Sequence, residues 1–234
     1  MSDEALAMAK IKVKDIEVIL EPITFKERSN DSDPYIIVVK KGVKLDLGAY
    51  AKGYALQKVK SYLEQQEVKS YLINGGSSSI IVGQKDKQKE NDKYYKIGLS
   101  NPLYVFTEKD ESKIEAHNYY GYYYIKNESI TTSGTEQQYV VDKNGNRYHH
   151  LISPLTKEPA NFYEGFTLIG ADAGELDALS TAVFSMEPAV ANEFILKKGL
   201  RGVSFNVDQT YSLYGSQTYF SKFTEFNFTE KKVD

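Results

Sequence analysis

Asp177 and Thr181 lie four residues apart in LDALSTA, a spacing that places a carboxylate and a hydroxyl on one helix face. Two oxygens so placed suit Mg²⁺, which takes a few protein oxygens and leaves its other positions to water and phosphate. The same pair also reads as a first-turn aspartate satisfying a helix N-terminus and a threonine bonding back to a carbonyl. A second candidate lies in LDLGAYAKGYA, where Gly48 and Gly53 bracket Lys52 at the start of a helix-period run. Free N–H groups, the positive end of a helix dipole and a lysine together suit a phosphate. The spacing is not that of a P-loop, however, and a strand–glycine–helix joint is an ordinary connection. His150, near a strand end, reads as a phosphate contact, a proton shuttle or a structural donor. The stretches SITTSG (129–134) and NGGSSS (74–79) offer hydroxyls and open backbone, and read equally as turns.

Composition narrows the chemistry. The chain has 234 residues, 41% of them hydrophobic, enough for one large domain with a substantial core or at most two small ones. A formal net charge of −3 gives no basic field for nucleic acid. No apolar run is long enough to span a bilayer, and no charged-then-apolar leader is visible. The absence of cysteine excludes disulfides, thiolate catalysis and cysteine metal sites. With only three histidines, any metal is expected to be a hard cation on oxygen ligands.

The elements that must position these residues follow from periodicity. Ala51, Ala55, Val59 and Leu63, with Leu56 beside them, predict a helix to about residue 66 and name its packing face. Further helices are expected over 176–186 and 189–198, the last ending at Gly199. Short apolar runs predict strands over 11–18, 35–39, 43–47, 94–99 and 166–169. A strand from residue 71 is expected to be interrupted by the glycines of NGGSSS and to resume at 80–82. The cluster Tyr119, Tyr120, Tyr122, Tyr123 and Tyr124 reads first as a strand ending in SITTSG, and secondarily as a surface for a flat ring. Asn144-Gly145 between apolar runs predicts a hairpin. The alternating C-terminal segment predicts further antiparallel strands. The class is α+β, largely antiparallel, with two or three principal helices, in a single domain over 1–234.

Taken in order from about residue 41 to 186, these motifs resemble the ApbE family of FAD:protein FMN transferases. LDLGAYAKGYA is similar to the family's lysine motif, and LINGGSSSIIVG with YKIGLSNP to its glycine motif and following strand. SITTSGTEQQY, RYHHLISPLTKEPA and ADAGELDALSTAVFSM resemble the remaining three. The resemblance implies a fold related to the T-fold, with FAD as substrate and Mg²⁺ as cofactor. It implies transfer of FMN to a threonine or serine hydroxyl of a target flavoprotein with release of AMP, or hydrolysis of FAD to FMN and AMP. It assigns Asp177, Thr181 and the Ala49 carbonyl to the metal, and Lys52 to the FAD phosphates. Asn74, Gly75, Gly76, Thr132, Ser133, His150 and Ser153 would line the nucleotide site, with His150 or Asp177 assisting the incoming hydroxyl.

The departures are specific. The family's HxIDPxTGxP is here HLISPLTKEP, with Ser153 for the aspartate and Lys157 for the glycine. After SITTSG the family has an acidic residue, a tyrosine and an arginine nearby; here Thr135, Glu136 and Gln138 stand in those places. The chain is also shorter than family members on its N-terminal side. The alternative expectation is a non-catalytic relative that keeps the fold as a binding module. Family members generally act outside the cytoplasm, so the resemblance implies the cell surface or periplasm, with a short cytoplasmic form as the alternative.

Overall fold

Asp172 opens the helix that carries the candidate metal residues. Its side chain accepts the Glu175 N–H at 2.8 Å, and the Asp-x-x-Glu order is that of a capping box. That helix, α2 (Ala173–Phe184), therefore starts three residues earlier than apolar periodicity alone predicts. Helix α3 (Pro188–Lys198) has proline at its first turn, two lysines in its last, and Gly199 in the left-handed conformation that closes it. Helix α1 (Ala51–Gln65) differs from both: Tyr50 at its N-cap makes no side-chain cap, and its first turn holds no acidic residue.

These features come from a computed structural model that describes residues 16–19, 36–39, 46–76, 78–85, 93–102, 119–136, 138–215, 219–222 and 228–233. The chain divides into two units, Met1–Asp46 and Leu47–Asp234. In the first, β1 (Ile16–Ile19) pairs antiparallel with β2 (Ile36–Val39). The rest of the strand expected over 11–18, and most of that over 43–47, lie outside the described residues. Asp46 and Leu47 are not strand; the Leu47 carbonyl accepts the Tyr50 and Ala51 N–H groups that start α1.

The second unit is built on β3 (Leu72–Asn74), β4 (Ser79–Val82), β5 (Tyr95–Ser100), β6 (Tyr119–Ile125), β7 (Glu128–Gly134), β8 (Tyr139–Val141), β9 (Arg147–His149), β10 (Tyr163–Gly170), β11 (Arg201–Asn206), β12 (Tyr211–Tyr214) and β13 (Phe220–Lys222). Six of these form an antiparallel sheet in the order β12-β11-β10-β7-β4-β3, and three more a sheet ordered β13-β6-β5. Strand alternation gives the large sheet two apolar faces. Phe166 and Leu168 pack with Leu176, Val183, Phe184, Ala191 and Ile195 of α2 and α3. Ile130, Ile169, Val203 and Phe205 pack against Ile97, Tyr120, Tyr123 and Ile125 of the smaller sheet. A bulge between Tyr163 and Gly165 changes the parity of β10, so Tyr163 joins Phe166 on the helix side. The expected mixed, mainly antiparallel fold is what forms.

Two local expectations change. SITTSG is neither a strand end nor a turn: it lies in β7, between β10 and β4, a buried strand of small hydroxyl residues. Residues 71–82 do not form one interrupted strand either. β3 and β4 pair as a hairpin through Asn74↔Ile80, with Gly76 at φ +92° in the turn and its N–H donating to Asn74 Oδ1 at 3.0 Å. The predicted hairpin at Asn144-Gly145 forms between β8 and β9.

Candidate functional site

Helix α1 reaches α2 through Gly53. A Cβ at Gly53 would stand 2.1 Å from the Ala173 carbonyl oxygen and 2.6 Å from Asp177 Cβ, so only glycine permits this approach. The Gly53 N–H donates to Asp177 Oδ2 at 2.8 Å. Below it, Gln57 Oε1 accepts the Ala173 N–H at 3.0 Å and Lys60 Nζ donates to the Ala171 carbonyl at 2.9 Å. Gly53, Gln57 and Lys60 form a polar stripe at helical spacing. The packing face expected from Ala51, Ala55 and Val59 is therefore corrected. Those residues are exposed, because seating α1 on Gly53 turns them about 200° away at about 100° per residue.

The same contact revises Asp177. It does not serve its own helix, whose N-terminus Asp172 already caps. It accepts instead from the third helical residue of α1, the terminus that lacks an acid of its own. Gly53 is the third helical residue, so its N–H is one of the first-turn donors that have no partner within the helix. Asp177 satisfies it from α2, and among the described residues no hydrogen bond reaches the oxygen of Ala49, in the exposed turn before α1. Burial pushes the Asp177 carboxyl up from its usual range, while the Gly53 N–H and the Lys52 charge pull it down.

Thr181 Oγ1 lies 3.4 Å from the Asp177 carbonyl, as the bland reading expects, and 3.3 Å from Ser133 Oγ of β7. Ser133 Oγ is also 2.9 Å from Ser180 Oγ. Lys52 Nζ donates to the Gly48 carbonyl at 3.0 Å, beside the α1 entrance. Gly53, Asp177, Thr181 and Ser133 thus gather where α1 meets α2 and β7, with Ala49 and Lys52 close in sequence to Gly53 at the α1 entrance.

The other expected residues are distributed differently. Thr132, next to Ser133, points to the opposite sheet face; with Asn74 and Gly76 it lines a cavity of about 220 Å³. Gly75 is crowded by Leu56, to which a Cβ would come within 2.5 Å, so the close approach expected at this glycine is made by α1. His150 Nδ1 is 3.1 Å from the Gln138 carbonyl and exposed. Ser153 Oγ accepts the Leu155 N–H at 3.3 Å inside its own turn. His149 is the more enclosed histidine: its Nδ1 accepts the Leu151 N–H, its Nε2 meets the Ala160 carbonyl at 2.8 Å, and its ring packs edge-on to Phe184. Burial holds its pKa below the usual value. The structural weight of Gly53 and Glu136 was not legible as such, although both stand within or beside the quoted motifs.

Among the described residues, no cluster of three or more His, Asp or Glu side chains could hold a metal. The oxygens that fit are the Asp177 carboxylate and the Thr181 hydroxyl, a hard pair with positions to spare for a ligand's phosphates.

Comparison with known proteins follows the same lines. The family model described as ApbE family matches residues 2–203. A FAD:protein FMN transferase of Klebsiella pneumoniae is 31% identical over 152 residues, 64% of this chain and 42% of the relative. One from Buchnera aphidicola is 28% identical over 173 residues, 74% of this chain and 46% of the relative. The solved ApbE protein of Thermotoga maritima superposes with a TM-score of 0.68 at 25% identity, covering 91% of this chain and 62% of that one. The flavin transferase ApbE of Vibrio cholerae shares the fold, with a TM-score of 0.65 at 18% identity, covering 93% of this chain and 62% of that one. The chain spans less than half the length of these two curated relatives.

Proposed function

The chain belongs to the ApbE family, and we propose that it is a Mg²⁺-dependent flavin transferase that takes FMN from FAD, releases AMP and esterifies a Thr or Ser hydroxyl of an acceptor flavoprotein. The observation that carries this reading is the Gly53–Asp177 hydrogen bond. It holds the N-terminus of α1 against the carboxylate of α2, and so supports one cation and phosphate site made from two distant motifs, to which the family resemblance adds the Ala49 carbonyl.

In this reading Asp177, Thr181 and Ala49 would hold the cation, which when bound would neutralise charge on the pyrophosphate and its leaving group. Lys52 supplies a full positive charge at the helix entrance, and the α1 dipole adds to it. The Gly53 N–H fixes Asp177 Oδ2, which orients the carboxylate before any ligand arrives and lowers the reorganisation needed at the reaction. Ser133 buttresses Thr181 from the sheet. Transfer breaks the bond between the FMN phosphorus and the bridging oxygen; AMP leaves with that oxygen, and the acceptor hydroxyl loses its proton as the new P–O bond forms. Water in place of the hydroxyl yields free FMN.

The test is direct. Purified protein is mixed with FAD and Mg²⁺ and AMP release is followed, with candidate acceptor flavoproteins added in parallel and scored for covalent flavin fluorescence. AMP with a labelled acceptor supports transfer, and AMP with free FMN alone supports hydrolysis. No AMP with any divalent metal and no FAD-dependent thermal shift refute the reading.

A further inference from the structure

Strand β9 and the chain that follows it alternate between core and solvent, and most of the solvent positions are apolar. Leu151 and Ser153 are 7% and 5% exposed. Arg147 and His149 share their side of the chain: Arg147 Nη2 meets Thr135 Oγ1 at 3.4 Å, and the His149 ring packs on Phe184. The residues between them face outward, with Tyr148 and Ile152 each 45% exposed and His150 exposed as well. Val140 of β8, directly opposite Tyr148, is 68% exposed. Strand alternation therefore sets Tyr148, His150 and Ile152 in one stripe, about 7 Å from each to the next, with Val140 beside it. The polar residues Lys143, Asn146, Lys157 and Glu158, in the turns at either end, are exposed too. An apolar stripe with a polar rim, on the outside of a two-stranded sheet, has the anatomy of an interaction surface.

The position of the stripe selects its partner. Phe184, whose ring lies 5.7 Å from that of His149, follows Thr181 by three residues in α2, and Thr135, which Arg147 meets, follows Ser133 by two. Because Thr181 and Ser133 themselves meet, both contacts seat β9 beside the candidate cation group. Within the stripe, His150 Nδ1 is 3.1 Å from the Gln138 carbonyl. A carbonyl can only accept, so Nδ1 carries the hydrogen and Nε2 of the neutral ring keeps a lone pair. Flavin transfer needs a second substrate, one that brings a hydroxyl to this group and gives up its proton there. Water in that role needs no docking surface, whereas a protein does. Resting on the flavin-transferase reading, we infer that the stripe of Tyr148, Ile152 and Val140 is the surface on which the acceptor flavoprotein docks, with its Thr or Ser beside His150. Tyr148 is a rigid aromatic anchor on one side of His150 and Ile152 an aliphatic one on the other. A bound segment is thereby held on both sides of its hydroxyl.

The test titrates FMN-depleted flavoproteins of the source organism, purified singly, into wild type, Val140→Lys, Ile152→Asp and a control, Leu196→Asp, on the exposed side of α3. Each variant is checked for native far-UV circular dichroism, and FMN transfer and acceptor-free AMP release from FAD are measured alongside. Val140→Lys and Ile152→Asp introduce opposite charges, yet both are expected to weaken acceptor binding and raise the acceptor KM about tenfold or more. Acceptor-free AMP release should keep its wild-type rate in both, and Leu196→Asp should match wild type throughout. Acceptor binding unchanged in the two stripe variants, an equal loss in Leu196→Asp, or no flavoprotein bound by wild type overturns the inference. So does a wild-type dimer, seen in sedimentation, that either stripe substitution dissociates, since a second copy then occupies the surface. AMP release with acceptor binding indifferent to the stripe leaves the transferase reading standing and removes this one. Stripe-dependent acceptor binding with no AMP release does the reverse.

Discussion

Replacing Gly53 by alanine should destabilise the protein, against the general rule for helices. In an exposed helix interior Gly→Ala gains about 1 kcal/mol, because alanine loses less backbone freedom on folding. Here the new methyl would stand 2.1 Å from the Ala173 oxygen and 2.6 Å from Asp177 Cβ, while ordinary contacts begin at 3.4 Å. The two helices must part by more than 1 Å, and neither obstacle is the far end of a flexible side chain. Overpacking of this kind costs about 1–3 kcal/mol. The 2.8 Å bond from Gly53 N–H to Asp177 stretches beyond useful range, which forfeits about 1.5–3 kcal/mol for a hydrogen bond to a charged group. After the propensity gain, a net loss of about 1.5–5 kcal/mol is expected. Urea unfolding followed by circular dichroism reads this as a fall in midpoint with little change in slope. A Gly53→Ala protein as stable as wild type, or more stable, would refute the α1–α2 contact on which the site depends.

Other substitutions separate charge, packing and backbone. Asp177→Asn keeps an oxygen for the Gly53 N–H, so metal-free stability should hold or rise; AMP release from FAD should fall by about a hundredfold or more, the scale of losing one preorganised charge-stabilising group. Glu136 has a folded pKa above its unfolded value of about 4.5, so the stability tied to its proton is present below that pH and is lost as pH rises through the raised pKa. Glu136→Gln should therefore gain on wild type between pH 4 and pH 7 in chemical unfolding, and a constant difference across that range contradicts the assignment. Lys157 sits at φ +63°; Lys157→Gly should stabilise by about 1 kcal/mol, measured as a higher unfolding midpoint.

How far the sequence foretold this site depends on what each contact is made of. The Asp177–Thr181 pair was legible because both residues belong to one helix with a regular repeat. So was the end of α3, where Gly199 at φ +66° follows two lysines. The packing face of α1 was not, because the residues that seat it are a glycine, a glutamine and a lysine, which carry no hydrophobic signal. The acceptor for its N-terminus lies 124 residues away, beyond any local pattern. SITTSG read as a strand end because serine, threonine and glycine are turn residues in isolation; between β4 and β10 the hydroxyls of Thr131, Thr132 and Ser133 bond to Ser79, Thr167 and Ser180 instead. Family resemblance supplied the residues of the site, and the geometry supplied the contact that joins its two motifs, the Gly53 N–H on Asp177.

The central claim is that α1 and α2 together form one cation site. Calorimetric titration of Mg²⁺ in the presence of FAD, into wild type, Asp177→Asn and Thr181→Val, tests it most directly. The account predicts a single saturable site in wild type, lost in Asp177→Asn and weakened about tenfold in Thr181→Val, the scale of one hydroxyl ligand. Absence of Mg²⁺ binding to wild type, or an isotherm for Asp177→Asn that matches it, would contradict the account.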